Sequence, residues 1–118
     1  MRKPPVHISF INAFRGVILM IKTERSFQIE FVAFLINIFL IFYLKLNYID
    51  TALILISSLA VLSAEVFNTA IEKICDFIHP NFDKRIGFIK DISAGAVILM
   101  VAAAVIIGIL VYWKYIFN

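Results

Sequence analysis

From Ile92 to Tyr112 the chain carries no charged side chain. As a helix, a run of that length crosses the hydrocarbon of a bilayer, which takes about 20 apolar residues. Two shorter apolar stretches precede it: Phe31 to Leu44, interrupted only by Asn37, and Thr51 to Ala64. Inside hydrocarbon every backbone amide must be paired within the segment, and a helix is how a single stretch achieves this. With 63% of its 118 residues hydrophobic and 16% charged, the composition lies far from that of a soluble domain. The sequence therefore predicts an all-α integral membrane protein, a single domain over 1–118 with transmembrane helices at about 27–48, 51–77 and 91–113.

Ahead of the spans, Pro4 and Pro5 bar an earlier helix start, and Ser9 is the expected N-cap. A helical wheel collects Phe10, Ile11, Phe14, Val17, Ile18 and Ile21 on one arc, opposite Asn12, Arg15 and Lys22, with Leu19 as the exception. A basic amphipathic helix of this kind, at about 8–24, is expected to lie in the membrane interface with its cations toward the headgroups. The first span is short, so it is expected to draw in Phe27, Ile29 and the Leu46 to Ile49 region, with Lys45 snorkelling. Asn37 within it is expected to bond to a neighbouring helix. Pro80 and Gly87 are expected to break the chain around the one sizeable hydrophilic loop.

Arg2, Lys3, Arg15, Lys22 and Arg25 precede the first span, and Lys73, Lys84, Arg85 and Lys90 surround the second loop; only Lys45 and Lys114 lie at the other side. This bias places the N-terminus and the second loop in the cytosol. Met1 to His7, with two prolines, does not look like a cleavable leader. A net charge of +3 is too modest an excess to be read as nucleic-acid binding. Cys75, the one cysteine, reads as a packed thiol without a disulfide framework.

The chemistry points to one helix face. On a wheel Asn68, Glu72 and Asp76 fall within about 60°, 20° and 20° of Glu65. Each ionisable group near the bilayer centre costs roughly 2.5–3.5 kcal/mol on the insertion scale, so such a stripe implies a use. Counting from Thr51, Glu65 lies about 21 Å in and Glu72 about 31 Å in, against hydrocarbon of about 30 Å. Glu65, partly desolvated, suits a general base at the depth of a lipid hydroxyl. Glu72, with Glu24 from another helix, suits a hard divalent cation such as magnesium, whose remaining ligands are waters and substrate phosphates. The four glycines, Gly16, Gly87, Gly95 and Gly108, exclude both common glycine-rich phosphate cradles. A nucleotide's phosphates would need the metal, Lys90, Arg15 and the basic loop. Three other readings of the stripe stand beside this one: a helix-packing seam neutralised by Lys90, Lys73 or Arg25, a cation or proton transporter subunit using Glu65 and Glu72 as relays, and a trimeric scaffold. The transporter would need acids reaching both faces, whereas only Asp50 lies at the far turn.

The run Glu65-x-x-Asn68-Thr69-Ala70-Ile71-Glu72-x-x-x-Asp76, followed by Lys90-Asp91-x-x-Ala94-Gly95-Ala96-Val97, resembles the signature of the prokaryotic diacylglycerol kinase family, which includes undecaprenol kinases. Phe14-x-Gly16 and Glu24-x-x-Phe27 resemble its N-terminal portion, so the likeness covers most of the chain in order. The resemblance implies a homotrimeric bundle in the bacterial inner membrane, each protomer with three transmembrane helices and a surface helix. It implies ATP and magnesium, sites shared between protomers, and a membrane lipid alcohol as acceptor, diacylglycerol or alternatively undecaprenol. By position it makes Glu65 the catalytic base, Glu24 and Glu72 the metal ligands, and Asn68 and Asp76 orienting residues. Nucleotide contacts then fall on Asn12, Glu24, Glu72, Asn81, Phe82, Asp83, Lys90 and Asp91, and lipid contacts on Ser26, Phe27, Glu65 and Ala94. Gln28 stands where many members carry a basic residue, and Glu30 where several carry histidine or another polar group. The leader has no clear equivalent of the family's nucleotide-holding arginine, leaving Arg2, Lys3 or Arg15 in its place.

Overall fold

The computed structural model describes residues 2–117. It has four helices, α1 Val6–Thr23, α2 Arg25–Tyr43, α3 Tyr48–Ile78 and α4 Lys84–Ile116, each long and apolar enough to cross a membrane. α3 and α4 form an antiparallel hairpin, α2 packs along α3, and α1 packs on α2. Exposed apolar side chains such as Phe42, Leu99 and Leu110 run along the helices, as expected of a surface that meets lipid or other protein.

The helix ends correct three expectations. α1 starts at Val6, because the Pro5 carbonyl accepts from the Ile8 and Ser9 amides at 3.0 Å each. Pro5, with φ −54° and ψ 154°, sets the entry of the chain, and Ser9 lies inside the first turn, not at the cap. α2 does not reach Leu46 to Ile49. It gains its length at the other end, from Arg25, and closes with Lys45 in the left-handed region at φ 55°. The Leu46 amide then returns to the Ile41 carbonyl at 3.1 Å and its side chain packs against Ile41, a Schellman closure. Tyr48 and Ile49 belong instead to the first turn of α3, where the Asn47 side chain accepts from the Asp50 amide at 2.8 Å. Gly87 is no breaker: it lies within α4, whose N-cap Asp83 accepts from the Arg85 amide at 2.8 Å. A β-carbon at Gly87 would meet only the Phe82 ring, at 3.8 Å.

Between α1 and α2 stands a single residue, Glu24, which ends one helix and precedes the next with extended backbone, φ −107° and ψ 113°. The bend is tied by Gln28, whose amide Nε2 donates to the Ile21 carbonyl at 2.9 Å, using one of the acceptors that a helix end leaves free.

Two apolar clusters hold the bundle. Met20, Phe27 and Leu62 join α1, α2 and α3 near the bend, and Ile41, Ile54 and Val111 join α2, α3 and α4 at the far end. Asn37 makes the interhelical bonds expected of it: Tyr112 Oη donates to its Oδ1 at 2.7 Å, and its Nδ2 donates to Ser58 Oγ at 3.4 Å. At the far end Asp50, 4% exposed, accepts from Lys114 Nζ at 2.9 and 3.1 Å and from Tyr115 Oη at 2.8 Å. The one acid of that end is thereby committed to joining α3 to α4.

Candidate active site

The helical period of α3 places Glu65, Asn68, Glu72 and Asp76 along one side at the end away from Asp50. Glu65 is buried, 7% exposed. The charges that bear on it are those of Glu30, from α2, and Glu72. One turn further, Asn68 Nδ2 donates to Glu72 Oε1 at 3.0 Å. Asn68 Oδ1 is buried and has no partner. Another turn on, Asp76 accepts from Lys90 Nζ of α4 at 2.6 Å, which fixes the register of the hairpin at this end.

Beyond Asp76 the α3–α4 connection folds on itself. His79 Nδ1 donates to the Asn81 carbonyl at 2.7 Å, and His79 Nε2 stands 3.9 Å from Asp83. Arg85 grips Asp83 with its guanidinium at 3.1 and 3.2 Å and with its backbone amide, and these contacts hold the Asp83 carboxyl down to about 2. A cleft of about 350 Å³ results, lined by Asp76, Asn81, Phe82, Asp83, Lys90 and Asp91. These six are residues singled out from the sequence, and His79, Pro80, Ile86 and Gly87 complete the lining.

Glu24 reaches the same end from the bend. Its Oε1 lies 3.5 Å from Lys73 Nζ, the residue after Glu72 on α3. Within the chain the structure thus brings Glu24 to the level of Glu72, although its direct partner is the lysine. Among the described residues, no three acidic, histidine or cysteine side chains converge as a ready-made metal cage. Magnesium needs fewer protein ligands than that, one or two carboxylates completed by water and phosphate. The buried, unpartnered Asn68 Oδ1 beside Glu72 adds a hard oxygen acceptor with no protein donor, which fits a cation or a substrate hydroxyl at this point.

Other expected residues stand apart in the single chain. Asn12 is exposed on α1, about 12 Å along the axis from Met20, where that helix meets the core. Ser26 is exposed at the start of α2 and Ala94 about three turns into α4, while Phe27, 2% exposed, is a core residue at the bend. Phe27 also walls an apolar groove of about 440 Å³ with Phe31, Phe34, Leu62, Val66 and Phe67, whose α3 side brackets Glu65 in sequence.

A sequence profile of the prokaryotic diacylglycerol kinase family matches residues 11–112. The chain belongs to the prokaryotic diacylglycerol kinase family. Within it, the chain is 33% identical over 104 residues to an undecaprenol kinase of Bacillus subtilis, covering 88% of this chain and 85% of that protein. It is 33% identical to a diacylglycerol kinase of Synechocystis, over 89% of this chain and 61% of that longer protein. It is 29% identical to the diacylglycerol kinase of Escherichia coli, over 78% of this chain and 75% of that one. As a member of this family, the chain is an integral membrane protein.

Two residues had no place in the sequence reading of the site. Glu30, noted only as a departure from the family pattern, is the helix-α2 carboxylate nearest in effect to Glu65; its α-helical offset of seven from Asn37 was the available signal. Lys73, weighed only as a neutralising neighbour, meets Glu24. Its offset of one from Glu72 turns it about 100° off the stripe, so no periodicity argument selects it.

Proposed function

We propose that this chain, a lipid kinase by its family, transfers the γ-phosphoryl group of ATP to the hydroxyl of a membrane lipid alcohol, converting diacylglycerol to phosphatidic acid. The observation that carries the reading is the placement of a buried acid, Glu65, about three turns below a polar cleft lined by Asp76, Lys90 and Asp91. Lipid and nucleotide approach such a site from opposite sides. Glu65 takes the proton from the lipid hydroxyl as its oxygen bonds to the γ-phosphorus, the bridging bond to the β-phosphate breaks, and ADP leaves with its electron pair.

Glu24 and Glu72 would hold magnesium, which would supply charge neutralisation for the nucleotide phosphates. Asn68 orients Glu72 and turns its free oxygen toward the reacting groups, and Lys90 and Asp91 hold the phosphate end of the nucleotide. Asn12, Asn81, Phe82 and Asp83 complete its binding, with Asn12 brought to the cleft by another protomer. Ser26, Phe27 and Ala94 border the lipid, whose hydrocarbon lies along the apolar groove walled by Phe27 and Val66. α1 rides in the interface while α2, α3 and α4 span the bacterial inner membrane, N-terminus and α3–α4 loop in the cytosol, as a homotrimer whose sites are shared between protomers.

Undecaprenol is the competing acceptor, favoured by the relative of that name, which this chain covers over 85% of its length. Radiolabelled ATP offered to the purified protein with diacylglycerol, with undecaprenol and with neither lipid separates these readings. Labelled phosphatidic acid formed faster than undecaprenyl phosphate is the expected result. The reverse order assigns the chain to undecaprenol, and no labelled lipid in either lane from folded protein overturns the kinase reading.

A further inference from the structure

Lys73 pairs with one proposed metal ligand, Glu24, and adjoins the other, Glu72, in sequence. It follows Glu72 directly, and its ammonium lies 3.5 Å from Glu24 Oε1 with 73% of the side chain exposed, against 28% for Glu24. An exposed pair of this kind contributes little to stability, so exchanging its anion costs little. Lys90, by contrast, is bonded to Asp76 at 2.6 Å on the side of α3 that faces α4. The two ammonium groups therefore flank Glu72, one toward the α1–α2 bend and one toward α4.

Lys22 and Arg25 neighbour Glu24 in sequence without forming a salt bridge to it, and other cations of the N-terminal region stand farther off. Arg15 is exposed and lies about 14 Å up the axis of α1 from Glu24, and Lys3 precedes that helix altogether. Among the described residues Lys73 is the one cation in salt-bridge contact with Glu24. Were Glu24 to serve as an oxygen ligand, this ammonium would lose its counter-charge beside the phosphates that a cation on Glu24 and Glu72 would attract.

We propose that Lys73 is a phosphate-binding residue of the nucleotide site, parked on Glu24 in the free chain and transferred to a phosphate oxygen when nucleotide binds. The inference rests on the kinase reading and names a residue which that reading does not require. It also separates two affinities that a merely structural ion pair would leave linked. Removing the ammonium takes a partner from the phosphates, and at the same time it removes the positive charge that competes with a divalent cation for Glu24.

The test uses the full-length chain in lipid nanodiscs, with trinitrophenyl-ATP fluorescence for nucleotide binding and manganese titration, read by electron paramagnetic resonance, for the metal without nucleotide. Lys73→Met and Lys73→Gln are expected to weaken nucleotide binding about tenfold, the loss of one charge-assisted contact. The same variants should tighten manganese binding, and in turnover they should raise the KM for ATP by a larger factor than they lower kcat. Lys73→Arg should keep nucleotide affinity within about threefold of the parent, because the charge remains. Unfolding midpoints close to the parent's confirm that each variant is folded, as expected for so exposed a side chain. Parent-like nucleotide affinity in both neutral variants overturns the role of Lys73 while leaving the kinase reading intact. Failure of the parent itself to bind the nucleotide overturns both.

Discussion

Asn68 donates to Glu72 across 3.0 Å, while its own carbonyl oxygen, buried, meets no donor. An unsatisfied buried acceptor costs about 1–3 kcal/mol, so the position is poor for stability and suited to a site whose missing donor or cation arrives with substrate. Asn68→Ala is expected to lower lipid phosphorylation by about 10–100-fold, the usual loss when a residue that orients a ligand is removed. The unfolding midpoint should hold or rise. A fall in stability that tracks the fall in activity would show the amide to be a packing element instead.

Glu65 and Glu72 differ in burial, and their amides should fail in different ways. Glu65→Gln is expected to reduce phosphoryl transfer by roughly 10²–10⁴-fold at any magnesium concentration, because a proton acceptor is lost. Glu72→Gln should instead raise the magnesium concentration needed for half-maximal rate. Single-turnover rates measured across a magnesium series distinguish the two, and magnesium rescue of Glu65→Gln would refute its assignment as base.

The α3 stripe was legible because a helix repeats every 3.6 residues, so Glu65, Asn68, Glu72 and Asp76 had to share a side wherever the helix packed. The loop residues Asn81 to Asp83 were legible through the resemblance, and they do line one cleft with Lys90 and Asp91. Lys73 and Glu30 were not, since their significance depends on which neighbouring helix lies against them, and that is a property of tertiary packing. The ends of α1, α2 and α4 failed for a related reason. Pro5, whose carbonyl takes the first amides of α1, and Lys45 in a left-handed turn start or end a helix by backbone geometry that residue preference ranks low, while at α4 the favoured N-cap Asp83 prevails over the glycine that follows.

Tyr112 closes a bridge between α4 and α2 through Asn37. Tyr112→Phe keeps the ring and removes one interhelical hydrogen bond, so it is expected to cost about 0.5–2 kcal/mol. Asn37→Leu strands the Tyr112 hydroxyl and also removes the contact to Ser58, which keeps its bond to the Ile54 carbonyl, and should cost more. Unfolding in mixed detergent micelles measures both, and equal losses would mean that the Ser58 contact at 3.4 Å contributes nothing.

The loop has its own acid limit. Asp83 binds its proton near 2 in the folded chain against an ordinary value of 3.8, so the unfolded turn takes up protons first. Its contribution is present in full above about pH 4 and is lost as pH falls toward 2. Amide exchange at the first turn of α4 should accelerate across that window in the parent. In Asp83→Asn, which can cap a helix but cannot titrate, the same amides should show no such step.

The joint between α1 and α2 is one residue long, and that residue is Glu24. A hinge without slack makes α1 a lever of about 27 Å with a metal-ligand candidate at its fulcrum. With α1 in the interface, as proposed, tilting or lifting that lever would turn the carboxylate and change its distance from Glu72. Rates taken in a micelle and in a flat membrane are then expected to differ with curvature and headgroup packing.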